Sequence, residues 1–250
     1  MKKIILNSIR FFLSVSIFTI FGCSGYTKKD GKVFLRNSDE AHIGVKYIEL
    51  KKADYKTFIE IENNTNLYLA KDKRYIYVDG SILIGADPRT FKQIKEYYWK
   101  DKNYVYLLGY GNEVSKINSA DISSFYLLDN NLWAKDKKSI FYGSEKLEFV
   151  NRDKFIVINE NWGKDDKYFY WQNLKLESID FKTAEILNLN FIKDKYNVFF
   201  HNEIVIGCDA STFRTDGIGY NGHDNKNMFD GTTNLGPITD EYRKMYIEEK

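Results

Sequence analysis

Apolar and polar positions alternate along this chain in short runs, and the runs recur. Six times an apolar stretch leads into a polar turn anchored by an Asp, at Asp72, Asp101, Asp136, Asp165, Asp194 and Asp224. Five residues after each Asp stands an aromatic ring: Tyr77, Tyr106, Phe141, Tyr170, Phe199 and Phe229. Three residues before it come Leu69, Tyr98, Trp133, Trp162, Phe191 and Asn221, and four after it Ile76, Val105, Ile140, Phe169, Val198 and Met228. β-prone apolar residues flanking a short polar turn predict a β-hairpin, in which the Asp side chain hydrogen-bonds its own backbone and starts the turn. Each strand then supplies rings to a packed face.

A second motif alternates with the first: Ala53-Asp54-Tyr55-Lys56-Thr57-Phe58, Ala86-Asp87-Pro88-Arg89-Thr90-Phe91, Ala120-Asp121-Ile122-Ser123-Ser124-Phe125 and Cys208-Asp209-Ala210-Ser211-Thr212-Phe213. Weaker copies run from Val150 to Phe155 and from Ile179 to Ala184. Asp followed by Thr or Ser suits an Asx turn or a single helical turn, with Phe turned back as a core plug. Cys208 fills the column held elsewhere by Ala53, Ala86 and Ala120, so it reads as a buried, inert thiol.

Self-similarity at a period near 30 residues marks a tandem array in which each unit buries its apolar face against its neighbours. Asp101-Lys102-Asn103-Tyr104-Val105-Tyr106 and Asp72-Lys73-Arg74-Tyr75-Ile76-Tyr77, with the Ala-Asp-x-x-Thr-Phe motif, resemble the bacterial DKNYY repeat family over roughly residues 50 to 230. That resemblance implies the repeat and carries no assigned activity, catalytic residue or cofactor. Asp165-Asp166-Lys167 and His223-Asp224-Asn225-Lys226 depart from its pattern. Short turns join antiparallel strands, so the expected fold is all-β, a propeller-like array of small three-stranded blades, with an open twisted array as the alternative. Thr239 to Lys250 read as a short terminal helix, within 240–250, covering an end. The longest interval follows Tyr106, where Gly109, Tyr110, Gly111 and Asn112 form an insertion and the best candidate contact loop.

The N-terminus changes the picture from fold to location. Lys2, Lys3 and Arg10 precede an apolar run from Phe11 to Phe21, and Ile20-Phe21-Gly22-Cys23 resembles a bacterial lipobox. The resemblance implies removal of residues 1–22 and acylation of Cys23, with residues 23–29 as a lipidated Cys and polar tether and 30–250 as the repeat domain. Two or three acyl chains hold a protein stably at a bilayer, each buried methylene contributing about 0.8 kcal/mol. Ser24 in place of the Asp that favours inner-membrane retention in diderm lipoproteins points to the outer membrane if the cell has one. With Cys208 the remaining cysteine after Cys23, no internal disulfide supports the mature domain. A net charge of +2 gives no excess of the kind that predicts nucleic-acid binding.

The chemistry is that of binding. Neither a Gly-x-Ser-x-Gly elbow, a phosphate-binding Gly loop nor His-Glu-x-x-His occurs, and His42, His201 and His223 lack metal-ligand spacing. A carboxylate pair in a central pocket would suit glycoside hydrolysis, but the obvious carboxylates are repeat-column residues with turn roles. Accordingly no catalytic residue, metal or cofactor is expected. The Asp turns are rich in Lys, and Lys71, Lys100, Lys135, Lys164 and Lys193 form a candidate basic rim for anionic envelope polymer or lipid headgroups. Rings such as Tyr97, Tyr110 and Trp171 would suit glycan stacking, making the carbohydrate-binding module the alternative to a protein-interaction scaffold.

Overall fold

The computed structural model describes residues 25–39, 44–128, 132–217 and 219–247, so the expected signal segment and Cys23 lie outside the described residues. Seven small antiparallel sheets follow one another in chain order, the first three-stranded and the other six four-stranded. The first comprises β1 (Gly25–Lys29), β2 (Lys32–Asp39) and β3 (Gly44–Glu49). Residues 25–29, expected as part of a tether, are thus a strand paired with β2 from Gly25↔Arg36 to Lys29↔Lys32. Tyr26 holds it in place: its hydroxyl donates to Tyr68 O and accepts from Gly80 N, each at 2.9 Å.

The second sheet shows the repeating plan: β4 (Ile59–Glu60), β5 (Leu69–Lys71), β6 (Ile76–Val78) and β7 (Ser81–Ile82). β5 and β6 are the predicted hairpin, in register Leu69↔Val78, Ala70↔Tyr77 and Lys71↔Ile76. The expected three-stranded blade is corrected to four strands, because the outer two pair over only two residues, too short for an apolar alternation to announce them. In five of the six four-stranded sheets a two-residue turn joins the third strand to the fourth, the third sheet having the loop 109–113 instead. The first residue of the two-residue turn is left-handed, as at Asp79 with φ 47° and Gly80 following at 80°, which matches the twist of the flanking strands.

Period-two alternation divides each hairpin between two cores. In the third sheet Tyr98, Val105 and Leu107 face the fourth sheet, whereas Trp99, Tyr106 and Leu108 face the second. Six cores result, each lying between two consecutive sheets. Hydrogen bonds also step from one sheet to the next: Tyr98 Oη donates to Leu132 O and Gly143 O, and Trp162 Nε1 to Asn188 O. The sheets close no barrel, and the architecture is that of an open β-repeat array. At the far end α1 (Asp240–Tyr246) is capped by Thr239, whose hydroxyl accepts from Tyr242 N at 3.2 Å. Tyr242 Oη donates to Asp216 and to Gly222 O, seating the helix on the seventh sheet.

Candidate functional site: a basic edge and its groove

Each repeat Asp is buried, between 0 % and 4 % exposed, and its carboxylate is a junction. Asp101 Oδ1 accepts from Asn103 N (2.6 Å) and Tyr104 N (2.8 Å), closing the hairpin turn. Its Oδ2 accepts from Asp87 N (2.6 Å) and from Tyr106 Oη (2.9 Å), tying the second motif and the strand to the same group. Asp72 repeats this set with Arg74 N, Tyr75 N, Asp54 N and Tyr77 Oη. Burial alone would raise the Asp72 pKa, and these donors outweigh it, holding the carboxyl below its ordinary range. Where Phe141, Phe199 and Phe229 replace Tyr, the three backbone donors remain and the hydroxyl is absent. The Asp column is therefore structural.

In four of the six repeats the Lys after the repeat Asp reaches the Asp of the second motif: Lys73 to Asp54 (2.8 Å), Lys102 to Asp87 (2.7 Å), Lys137 to Asp121 (2.7 Å) and Lys195 to Asp180 (3.2 Å). These ion pairs hold Asp54 down to about 2, the hydrogen bond from Lys73 leading, and push Asp87 and Asp121 lower still. The fourth repeat, in the fifth sheet, swaps partners. Asp166 stands where those four have Lys, Asn151 stands for the second-motif Asp, and Asn151 Nδ2 donates to Asp166 Oδ1 at 3.0 Å.

Turns and second motifs lie together along one edge of the array, and a groove of about 1150 Å³ opens there beside the first three sheets. Its cationic lining is Lys51, Lys52, Lys73, Arg74, Arg89 and Lys102, against the acids Glu49 and Asp87. Tyr75, Ile82, Leu83, Ile84 and Pro88 supply its apolar surface. Arg74 is fixed by donation from Nη2 to Lys52 O (2.7 Å), with its guanidinium 5.3 Å from the centre of the Tyr75 ring. Arg89 is 80 % exposed and only loosely paired, 3.5 Å from Asp87, and Lys51 and Lys52 are exposed. The opposite edge is different in kind. Its turns, among them 61–68, 79–80, 96–97, 109–113, 143–144, 158–161, 187–190 and 230–232, contain no Lys or Arg.

The structure redistributes the expected site residues. Lys71, Lys100, Lys135, Lys164 and Lys193 are half-buried at the ends of the second strands. Lys100 Nζ lies 3.5 Å from Ile122 O, and Lys164 Nζ sits over the rings of Phe169 and Phe181. They border the basic edge, and the groove's exposed charge comes from their neighbours. The loop Gly109, Tyr110, Gly111 and Asn112 falls on the opposite edge. There it is a brace: a Cβ on Gly109 would stand 2.6 Å from Thr65 Cβ, and Tyr110 packs edge-on against Tyr97 at 5.5 Å. Trp171, considered for glycan stacking, has one face covered by His201 at 3.6 Å and donates to Leu189 O. Cys208, expected as buried, is half-buried and packs against the core between the last two sheets, where burial pushes its thiol up to about 12.

Sequence reading did not find the Lys-to-Asp pairs, although the swap at Asp166 and Asn151 was their signal. It also missed Asp216, which accepts from Tyr242 and lies 2.8 Å from His223 Nδ1, because that contact joins three elements. Among the described residues no group of three His, Cys, Asp or Glu is placed to hold a metal ion, and no helix is long and apolar enough to cross a membrane.

Hairpins keyed by a buried Asp and stacked in series, with a charged edge, define a tandem β-repeat protein. The DKNYY family model matches residues 1–110 and 98–231, and the chain belongs to the DKNYY family. Comparison with curated proteins and with solved structures gives no match.

Proposed function

We propose that this protein is a non-catalytic, lipid-anchored lipoprotein of the cell envelope whose repeat array binds an anionic partner along its basic edge. One observation carries the reading: charge is segregated, with the groove lined by Lys51, Lys52, Lys73, Arg74, Arg89 and Lys102 while the turns of the opposite edge lack Lys and Arg. Such a surface steers an anionic partner and holds it in a salt-dependent manner. The conspicuous carboxylates, in turn, are saturated by turn donors and ion pairs, which leaves them no role as general acid and base. The lipid anchor rests on the lipobox-like segment ending at Cys23.

The test is sedimentation of the full-length protein with native envelope at increasing salt, beside a variant carrying Lys51→Gln, Lys52→Gln and Arg89→Gln. These side chains are exposed, so their loss leaves the fold intact. Cys23→Ala should release the protein from the membrane. The triple variant should then abolish the salt-sensitive binding that the released protein retains. Binding unaffected by both the triple variant and salt would refute the basic edge as the binding site.

A further inference from the structure

The basic edge is also where the molecule displays apolar side chains. Among the described residues the four most exposed large hydrophobics are Ile206 (81 %), Phe149 (79 %), Ile84 (77 %) and Tyr196 (67 %). All four belong to turns of this edge. Ile84 and Ile206 share a column, each three residues before a second-motif Asp, Asp87 and Asp209. Phe149 occupies the position of Gly85 and Gly207, and like them it is left-handed, with φ 58° against 84° and 77°. A bulky side chain is disfavoured in that conformation, and such strain concentrates at functional positions. Each ring carries a cation: Lys175 Nζ lies 4.7 Å from the Phe149 ring centre, and Lys195 Nζ 4.6 Å from that of Tyr196. In the groove Ile82, Ile84 and Pro88 lie among Lys51, Lys52, Lys73, Arg74, Arg89 and Lys102.

We infer that the partner of this edge is an acidic protein segment bearing apolar side chains, which seats its apolar groups on Ile82, Ile84 and Pro88 and its carboxylates against Lys51, Lys52 and Arg89. The inference rests on the binding reading above and specifies its ligand. A bare polyanion gains nothing from an exposed Ile or Phe, whereas a segment with both kinds of group uses the whole surface. The anchoring bilayer is a poorer fit for position. β1 starts two residues after Cys23, and Tyr26 near its start bonds Tyr68 O and Gly80 N, at the end of the groove away from the basic turns.

The test uses the full-length protein in uncharged lipid nanodiscs and three fluorescent probes: a Glu-rich peptide with interspersed Leu, polyglutamate of equal length, and polyphosphate. A fourth probe is a vesicle containing anionic phospholipid. The Leu-bearing peptide should bind at least about tenfold more tightly than polyglutamate, the difference that burial of one or two apolar side chains produces. Ile84→Ser should remove that advantage and leave polyglutamate binding unchanged; Ile84 is exposed, so folding is not at stake. Equal affinity for all three soluble anions, with no effect of Ile84→Ser, overturns the inference and leaves the cationic groove standing. Binding of the anionic vesicle alone assigns the edge to a bilayer and also overturns it. Failure of all four probes overturns the binding reading itself.

Discussion

Asp136 is fully buried, and its carboxylate accepts Lys138 N and Ser139 N on one oxygen and Asp121 N on the other, each at 2.7 Å. Removing it strands three donors at the junction of turn, strand and second motif. Asp136→Ala should therefore lower the unfolding free energy by about 3 kcal/mol or more, read by urea denaturation. Tyr106→Phe deletes one donor of a carboxylate that keeps its backbone partners, and should cost only about 1 kcal/mol. Acid acts on the neighbouring pairs. Asp54 is held at about 2, below its ordinary 3.8, so the folded state binds this proton more weakly than the unfolded chain does. Its contribution is complete above pH 4 and is lost as pH falls towards 2. Asp87 and Asp121, shifted the same way by Lys102 and Lys137, should steepen the loss. A thermal-melt series across this range should show the decline, and Asp54→Asn should flatten part of it.

At the scale of the element, two columns trade volume. The residue two before the repeat Asp packs against the Phe plug of the second motif in the same repeat. Gly163 and Gly222 leave room for Phe155 and Phe213, whose rings stand 2.4 Å from where a Cβ would be. Ala70 and Ala134 accompany Phe58 and Phe125, and Trp99 stacks on Phe91 at 5.1 Å. In the sixth sheet the pair is inverted: Ile192 is large and Ala184 replaces the Phe. Gly163→Ala should be destabilising by about 1–3 kcal/mol, as expected of overpacking. Ala184→Phe should be destabilising alone and should recover when combined with Ile192→Ala, a coupling measurable as a double-mutant cycle. Both columns stood in the sequence, but their contact did not, because seven residues of strand and loop separate Ala184 from Ile192. The outer strands were hidden for another reason, since a two-residue strand such as Ile59–Glu60, exposed at both positions, carries no alternation to read.

For the whole molecule, six inter-sheet cores make stability a sum over neighbours, and the ends need separate treatment. The seventh sheet is closed by α1 through Tyr242 and Asp216, so Tyr242→Phe should loosen that end first, seen as faster amide exchange in 214–237 than in 133–146. The first sheet begins two residues beyond Cys23, which removes the slack that a tether would have provided. With the chain lipid-anchored as proposed, the Gly25 and Gly80 side should sit near the bilayer and the basic turns away from it. A fluorophore at Asp79 should be quenched by spin-labelled lipid headgroups more strongly than one at Ile84; the reverse order would place the basic edge on the membrane.

The sequence alone determined the hairpins, their period, the second motif and the all-β class, because each depends on residues adjacent along one strand or turn. Tertiary structure decided what those residues meet. It made the repeat Asp a carboxylate shared by two motifs, spent the Lys that follows it on an ion pair, and turned Gly109–Asn112 into a brace. It also gathered Lys51, Arg74, Arg89 and Lys102 from three successive units into one groove. Distance along the chain hides such contacts, since they arise only when one repeat is stacked on the next and their turns fall on a common edge.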